Sequence, residues 1–201
     1  MVEEEQPELQ NMEENSGNMR TSFRYSAYNR EAARNYALQY VLSPSASYVN
    51  FETMGGNCTN FTSQCLKAGG IVQDRTGNYT WYYVSSSDRA PAWTSADYFR
   101  NYYRNNVGSS SITGLRAYVS NFNDMRLGDL VQNVSGGTAS HTMIITGCSY
   151  DNWAASNPWA YKYDVLICQN SVSSGGRLKN VPLSSRPSTT REFVKIDGSY
   201  K

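Results

Sequence analysis

The chain has 201 residues, with 18 basic residues, 17 acidic residues and a single histidine. This length suits one domain with a real core, and the spread of charge without a Lys/Arg block argues against nucleic-acid binding. No apolar run approaches the roughly 20 residues that span a bilayer. The four cysteines include no CxxC pair, so we expect no structural zinc, no cofactor and mostly free thiols.

The first part of the chain differs from the rest in charge. Six of the 17 acidic residues fall in the first 14 positions, in a polar stretch without apolar periodicity. This composition predicts a disordered acidic leader or linker over residues 1–24. Residues 25–201 are expected to form a single domain, in which 16 basic and 11 acidic residues leave a mild, dispersed positive excess.

Three helices are predicted in the first half of that domain. The segment NREAARNYALQYVL, from Asn29, has apolar residues at helical spacing and ends at SPS. A second helix, TNFTSQCLKA, should end at Gly69 and Gly70, which suit a glycine cap. A third is expected from about Ser95 to Asn105, where Tyr and Phe residues form an apolar stripe.

The second half has the composition of strands. DLVQNV, SHTMIITGC, KYDVLICQNS and REFVKI are enriched in β-branched and aromatic residues and are separated by turns. Helices followed by an antiparallel sheet predict an α+β fold, with N-terminal helices packed on a C-terminal sheet.

Cys58 is the first candidate for chemistry. It lies at the predicted start of the second helix, where free amide groups and the helix dipole favour an anion. A thiol in that position is shifted towards the nucleophilic thiolate, although packing is the alternative role. Cys65 lies about two turns deeper in the same helix, and we interpret it as a core residue.

His141 is the only imidazole available to assist a thiol. It opens the strand HTMIITG directly after GGTAS, at the mouth of a predicted hairpin, although a capping or surface role is the alternative. If this strand pairs with DVLICQNS, either Gln169 or Asn170 comes near His141. Strand parity favours Asn170, whose amide oxygen would fix the imidazole tautomer. A role for Asn170 in starting the turn NSVSSGG is equally open.

Several of these segments carry a resemblance to a known family. The runs YNREAARNYALQYVL, NCTNFTSQCLKAGGI, YTWYY, RLGDLV followed by SHTMIITG, and NSVSSGGRLKNVPL resemble the bacterial putative amidase domain family over about residues 28–196. That family is grouped with the papain-like cysteine hydrolases, near the CHAP-type cell-wall amidases. The resemblance implies a papain-like fold and a triad of Cys58 as nucleophile, His141 as base and then acid, and Asn170 as the orienting residue.

One position departs from the family pattern. The family often has an acidic residue before the cysteine, whereas this chain has Asn57, a neutral neighbour that should make the thiolate easier to form. Asn57, Trp81, Tyr82 and Trp93 are expected to contribute to substrate binding. Trp153 and Trp159 are further candidates for an aromatic groove, although each aromatic residue alone has core or loop packing as its alternative.

The resulting hypothesis is a secreted bacterial amidase or peptidase that hydrolyses amide bonds through a thioester. A peptide or peptidoglycan stem is the expected substrate, with no nucleic-acid partner, no membrane span and a monomeric state. Acyl transfer by the same triad, as in a transpeptidase, and cell-wall binding without cleavage remain alternatives. The expected location is extracellular or in the cell envelope, with the cytoplasm as the alternative.

Overall fold

The computed structural model of the protein describes residues 25–105, 113–150 and 162–200. Among them one strand precedes the four helices, and the other six strands follow the helices. The helices are α1 (Arg30–Tyr40), α2 (Cys58–Ala68), α3 (Pro91–Thr94) and α4 (Ala96–Asn105). The strands are β1 (Tyr25–Ala27), β2 (Gly114–Ser120), β3 (Leu130–Ser135), β4 (Thr138–Tyr150), β5 (Lys162–Ser171), β6 (Gly176–Pro182) and β7 (Arg191–Tyr200).

All the described strands join one antiparallel sheet. Its order is β1-β7-β3-β4-β5-β6, and β2 pairs with the other edge of β7. β7 therefore pairs with three strands. β2 runs along one of its edges, while β3 and β1 pair with different parts of the other edge. The first described strand thus closes on the last.

The sheet buries both of its faces. One face packs on the helices in a core that includes Phe61, Leu66, Ile144 and Val194. The opposite face holds a second cluster around Val131, Met143 and Ile167 and is covered by the segments that carry Met125 and Leu183. Neighbouring residues of one strand, such as Leu130 and Val131, enter different clusters because successive side chains point to opposite faces.

α2 lies at the centre of this packing, and its residues from Cys58 to Leu66 are all buried. Several of them are polar, and each of those has a partner. Gln64 accepts a hydrogen bond from the Tyr36 hydroxyl at 3.0 Å, and Ser63 donates to the carbonyl oxygen of Trp93 at 3.0 Å. Burial of hydroxyl and amide groups is tolerated only with such partners, so α2 is fixed on several sides by specific contacts.

The structure confirms the α+β prediction and the three predicted helices. Asn29 caps α1 by accepting from the Ala32 amide at 3.0 Å, while Gly69 follows α2 without the left-handed backbone, which falls at Gly70 instead (φ 86°). The sequence prediction missed α3 and three strands, β1, β2 and β6. None of the described helices combines the length and the hydropathy of a membrane span.

Candidate active site

Cys58 is the first residue of α2 and is 8 % exposed. The chain reaches it through Gly55 and Gly56, whose φ angles of 104° and 113° are rarely adopted by residues with side chains. A Cβ atom at Gly56 would also lie 3.0 Å from Ser171 Oγ, on the neighbouring end of β5. Both glycines therefore allow the chain to turn sharply just before α2, which places the Cys58 thiol at the amino end of a buried helix.

A network of buried amides holds this approach in place. Asn57 Oδ1 accepts from the Phe51 amide at 3.1 Å and from Asn60 Nδ2 at 2.7 Å. Asn57 Nδ2 donates to Asn170 Oδ1 at 3.1 Å, and Asn170 Nδ2 donates to the Val41 carbonyl at 2.8 Å. Asn57 is 2 % exposed, and both ends of its side-chain amide help to position the loop before Cys58. Its role in substrate binding stays a prediction.

The environment of Cys58 favours its thiolate. Burial raises the pKa of the thiol, but the interaction with His141, together with bonds from the Thr142 backbone and the Thr59 hydroxyl, outweighs it. The net result is a pKa below the ordinary value for a thiol. Thr59 Oγ1 lies 3.7 Å from the sulfur and 3.2 Å from Thr142 Oγ1, which links the helix start to β4.

The pKa of His141 is shifted in the opposite direction, upwards. Burial lowers the pKa of the imidazole, but its interaction with Cys58 and a hydrogen bond with Gln169 raise it, and the net pKa lies above the ordinary value. A lowered thiol pKa beside a raised imidazole pKa favours the thiolate–imidazolium pair. Both shifts favour a proton on the histidine, where general acid catalysis needs it.

Gln169 fixes which nitrogen of His141 faces the thiol. Gln169 Nε2 donates to the carbonyl oxygens of Ser174 and Gly176, each at 3.0 Å, so its Oε1 must be the atom that faces the ring. Gln169 Oε1 lies 2.9 Å from His141 Nε2 and accepts a hydrogen bond from it. Nδ1 of His141 is buried and has no hydrogen-bond partner among the described residues, so it is the ring nitrogen that is free to exchange a proton in the cleft.

The prediction of Asn170 as the partner of His141 is wrong, and the sheet register explains why. β4 and β5 pair with Ile144 opposite Cys168. Continued towards the ends of the strands, this register puts Gln169 and His141 on the same face and turns Asn170 towards the helices, where it bonds Asn57 and Val41. Gln169, the alternative that the strand pairing had offered, occupies the orienting position.

Two adjoining compartments form the cleft. A nucleophile compartment of about 300 Å³ is lined by Cys58, the Gly55–Gly56 turn, Arg89 and Ala139, among others. An imidazole compartment of about 280 Å³ is lined by His141, Gln169, Asn133 and Arg186, among others. Ser140, which is exposed, borders both compartments. A substrate that spans the two would have its reacting bond between thiol and imidazole.

Two residues of the predicted aromatic groove lie in the core instead. Trp81 and Trp93 are both 0 % exposed, and their indole N–H groups donate to Ser63 Oγ at 3.0 Å and to Asn60 Oδ1 at 2.9 Å. These bonds let each large ring enter the core beneath α2 without an unsatisfied donor. Tyr82 is partly exposed and lies under the Arg75 guanidinium, outside both compartments.

Other expected residues of the groove are not placed. Trp153 and Trp159 lie outside the described residues. Among the described residues, no group of three His, Cys, Asp or Glu side chains is arranged to hold a metal ion. Sequence reasoning did not identify Thr142 as a residue of the site, or Arg89 and Arg186 as residues of the cleft. The only signal in the sequence is position: Thr142 directly follows His141, and Arg186 follows the hairpin whose carbonyl groups orient Gln169.

Comparisons with known proteins agree with the sequence resemblance. A family model described as a putative amidase domain matches residues 27–188. Among curated proteins, uncharacterized protein YhbB of Bacillus subtilis (strain 168) is 30 % identical over 138 residues, which cover 67 % of this chain and 42 % of that protein. Uncharacterized protein YjcM of the same organism is 28 % identical over 131 residues, covering 61 % of this chain and 28 % of its own length.

The matched segments are parts of larger proteins, because this chain spans less than half the length of either curated relative. No solved structure gives a significant match. The papain-like relationship therefore stays a prediction, while the family match rests on most of the domain that the structure describes.

Proposed function

Because the chain belongs to the putative amidase domain family, we propose that it is a cysteine-dependent amide hydrolase built on Cys58, His141 and Gln169. One observation carries the proposal. A thiol at the amino end of a buried helix interacts with the only histidine of the chain, whose far nitrogen is held by a glutamine with a fixed amide orientation. Nucleophile, base and orienting group are the three roles that thiol acyl chemistry requires.

The first half of the reaction forms an acyl-enzyme. The Cys58 thiolate attacks the carbonyl carbon of the amide, and the carbonyl π electrons move to oxygen to give an oxyanion. The backbone amide of Cys58, in the first turn of α2, is a suitable donor to that oxyanion. His141 gives its proton to the leaving nitrogen, the C–N bond breaks, and a thioester with a free amine results.

The second half restores the enzyme. With its Nε2 proton held by Gln169, neutral His141 uses Nδ1 to take a proton from water, and the hydroxide attacks the thioester carbonyl. Collapse of the intermediate expels the Cys58 thiolate and releases a carboxylic acid. Gln169 acts as a positioning residue here, since it holds the tautomer and ring angle without touching the reacting atoms.

The proposed substrate is an amide in a peptide or peptidoglycan stem, acted on outside the cytoplasm by a monomer. A cleft of two joined compartments, each of about 280–300 Å³, suits a chain that continues on both sides of the reacting bond. Trp81 and Trp93 do not support cell-wall binding through an aromatic groove, because both are fully buried. Acyl transfer uses the same first half-reaction and differs only in the acceptor.

The test is to incubate peptidoglycan fragments and unmodified peptides with the wild type, Cys58→Ala and Cys148→Ala. We expect new amine and carboxyl termini with the wild type and Cys148→Ala, and none with Cys58→Ala. Acid quenching followed by peptide mass spectrometry should show an acyl group on Cys58. Equal cleavage by Cys58→Ala would overturn the proposal, and products joined to an added amine would identify acyl transfer.

A further inference from the structure

Each compartment of the cleft is lined by one arginine. Arg89 lies in the nucleophile compartment, where its guanidinium stacks over the Phe51 ring at 4.4 Å from the centroid and donates to the Ser86 carbonyl and weakly to Thr94 Oγ1. These contacts orient the head group and add no compensating negative charge. The positive charge of Arg89 therefore acts on whatever occupies the space in front of Cys58.

Arg186 holds the corresponding position in the imidazole compartment. Its Nη2 donates to the Ser174 carbonyl at 3.4 Å, and Gly175, with φ 92°, leaves it room, since a Cβ there would lie 2.5 Å from Nη2. Its charge is also close enough to His141 to oppose protonation of the imidazole. The charge of Arg186 thus disfavours the protonated form of His141, and the fold nevertheless places this cation beside the imidazole.

Neither arginine is neutralised by the described residues. The ion pairs among them involve Arg30, Arg100 and Arg104, and the lining residues of the two compartments include no Asp or Glu. Arg100 is a contrasting case, since it is partly buried and paired with Glu192 at 2.7 Å. A partly buried cation without a carboxylate partner is suited to an anionic ligand.

The imidazole compartment also contains an acceptor without a donor. Asn133 sits opposite His141 in the pairing of β3 with β4, and its Oδ1 is buried with no hydrogen-bond partner among the described residues. A buried acceptor left unpaired is costly, and a bound N–H group would satisfy it. Arg186 and Asn133 together match a residue that presents a carboxylate and a backbone amide.

We propose that the cleft recognises an acidic peptide, with one carboxylate on the acyl side of the scissile amide held by Arg89 and one on the amine side held by Arg186. This inference rests on the proposed function, which sets the direction. His141 must reach the leaving nitrogen, so the amine half extends into the compartment of His141 and Arg186, while the acyl half occupies the compartment of Cys58 and Arg89. Asn133 accepts an N–H of the amine half.

The first experiment probes Arg89 without any substrate. Cys58 is alkylated with neutral iodoacetamide and with anionic iodoacetate, and the two rates are read by peptide mass spectrometry. We expect Arg89→Gln to lower the iodoacetate/iodoacetamide rate ratio at Cys58 about threefold or more, and Arg89→Lys to retain most of it. Arg126→Gln removes an exposed arginine beside Cys148 and serves as the matched control, which should leave the Cys58 ratio unchanged.

The second experiment probes both sides through binding to Cys58→Ala, which cannot turn over. The ligands are the peptides Ac-Ala-Glu-Ala-Glu-Ala-amide and its Gln-for-Glu analogue. We expect the acidic peptide to bind about tenfold more tightly, and Arg89→Gln or Arg186→Gln each to remove much of that difference. Raising the salt concentration should weaken only the acidic peptide.

The outcomes separate this inference from the proposed function. Suppose that Cys58 is far more reactive than Cys148, that Arg89→Gln leaves its iodoacetate/iodoacetamide rate ratio unchanged, and that both peptides bind with equal affinity. The acidic-substrate proposal then fails, and the hydrolase proposal stands. If Cys58 is no more reactive than Cys148, the nucleophile assignment fails, whatever the peptides do. A difference that persists in Arg89→Gln, Arg186→Gln and the double variant would also overturn the proposal, because another cation would then hold the ligand.

Discussion

Cys58 and Cys65 lie seven residues apart in the same helix, and both are buried. The pKa of the Cys58 thiol is nevertheless lowered, whereas that of the Cys65 thiol is raised. Burial raises the pKa of each. At Cys65 the neighbouring Cys168 adds to that increase, and its pKa lies well above the ordinary value. At Cys58 the imidazole of His141 and the bonds from Thr142 and Thr59 outweigh burial.

The difference teaches that burial by itself does not set the reactivity of a thiol. The two ends of α2 differ in what faces them: the first turn meets a strand that carries a proton acceptor, and the later turns meet apolar side chains of the sheet. The helix end also supplies free amides to Cys58 only. One element thus carries both a reactive and an inert cysteine.

The largest effect should come from exchanging each cysteine for alanine. Cys58→Ala should reduce amide hydrolysis at least about 10⁴-fold, because no other nucleophile faces His141 among the described residues. Cys65→Ala should retain hydrolysis and instead lower the free energy of unfolding by about 1 kcal/mol, through the small cavity it leaves. Hydrolysis rates and urea denaturation measure the two effects, and loss of activity in folded Cys65→Ala would break the contrast.

Removing the imidazole should bring the two thiols closer in behaviour. His141→Ala should raise the pKa of Cys58 and slow its alkylation at pH 6.5 by about tenfold, since the thiolate loses its cationic partner. Cys65 should stay protected in both proteins. The measurement is iodoacetamide labelling of all four cysteines over a pH series. An unchanged titration of Cys58 would assign its shift to the helix end alone.

Neighbouring positions on β5 should separate orientation from packing. Gln169→Ala removes the acceptor of His141 Nε2, so we expect the titration of Cys58 to move towards that of an ordinary thiol and hydrolysis to fall about tenfold. Asn170→Ala should lower unfolding free energy by about 1–3 kcal/mol, because Asn57 Nδ2 and the Val41 carbonyl lose their partner.

These two variants are each other's controls. Both remove a buried amide, so loss of stability alone does not distinguish them. The distinguishing measurement is the Cys58 alkylation titration in protein that is folded by circular dichroism. A shifted titration in Asn170→Ala with an unshifted one in Gln169→Ala would restore the original sequence prediction.

The smallest effect is on the pH range of hydrolysis. The pKa of Cys58 is lowered, so the acid limb, where thiolate is lost, should lie below the ordinary range of a thiol. The pKa of His141 is raised, so the alkaline limb, where the proton for the leaving amine is lost, should lie above the ordinary range of an imidazole. Arg186→Gln should move the alkaline limb further up, because a neighbouring cation is removed. The profile of kcat/KM against pH checks both limbs.

Local patterns in the sequence predicted the parts of the site that depend on local structure. The start of α2 follows from the Gly-Gly turn and the glycines after the helix, and it places Cys58 without any tertiary information. His141 follows from its being the sole histidine. The Asn29 cap and the core role of Cys65 were likewise accessible, since each depends only on residues within one or two turns of helix.

The residues that the sequence assigned wrongly depend on pairing between distant segments. The choice between Gln169 and Asn170 depends on the register of β4 and β5. Irregularities between Ile145 and Gly147 and between Ser149 and Tyr150 lie between the connection of these strands and the pairs near His141, so the register cannot be counted from the connection. The burial of Trp81 and Trp93 depends on Ser63 and Asn60 of α2 being placed to accept their N–H groups. Neither relation leaves a local pattern.

The position of β7 between β2 on one edge and β3 and β1 on the other has a consequence for biosynthesis. Every strand from β1 to β6 leaves the ribosome before β7, and Tyr25 of β1 pairs with Tyr200, which is 175 residues further along the chain. Until that strand emerges, the sheet edge that will receive it is exposed and open to wrong partners. Nascent chains stalled before residue 191 should therefore bind chaperones and resist compaction, even with Cys58 and His141 already translated.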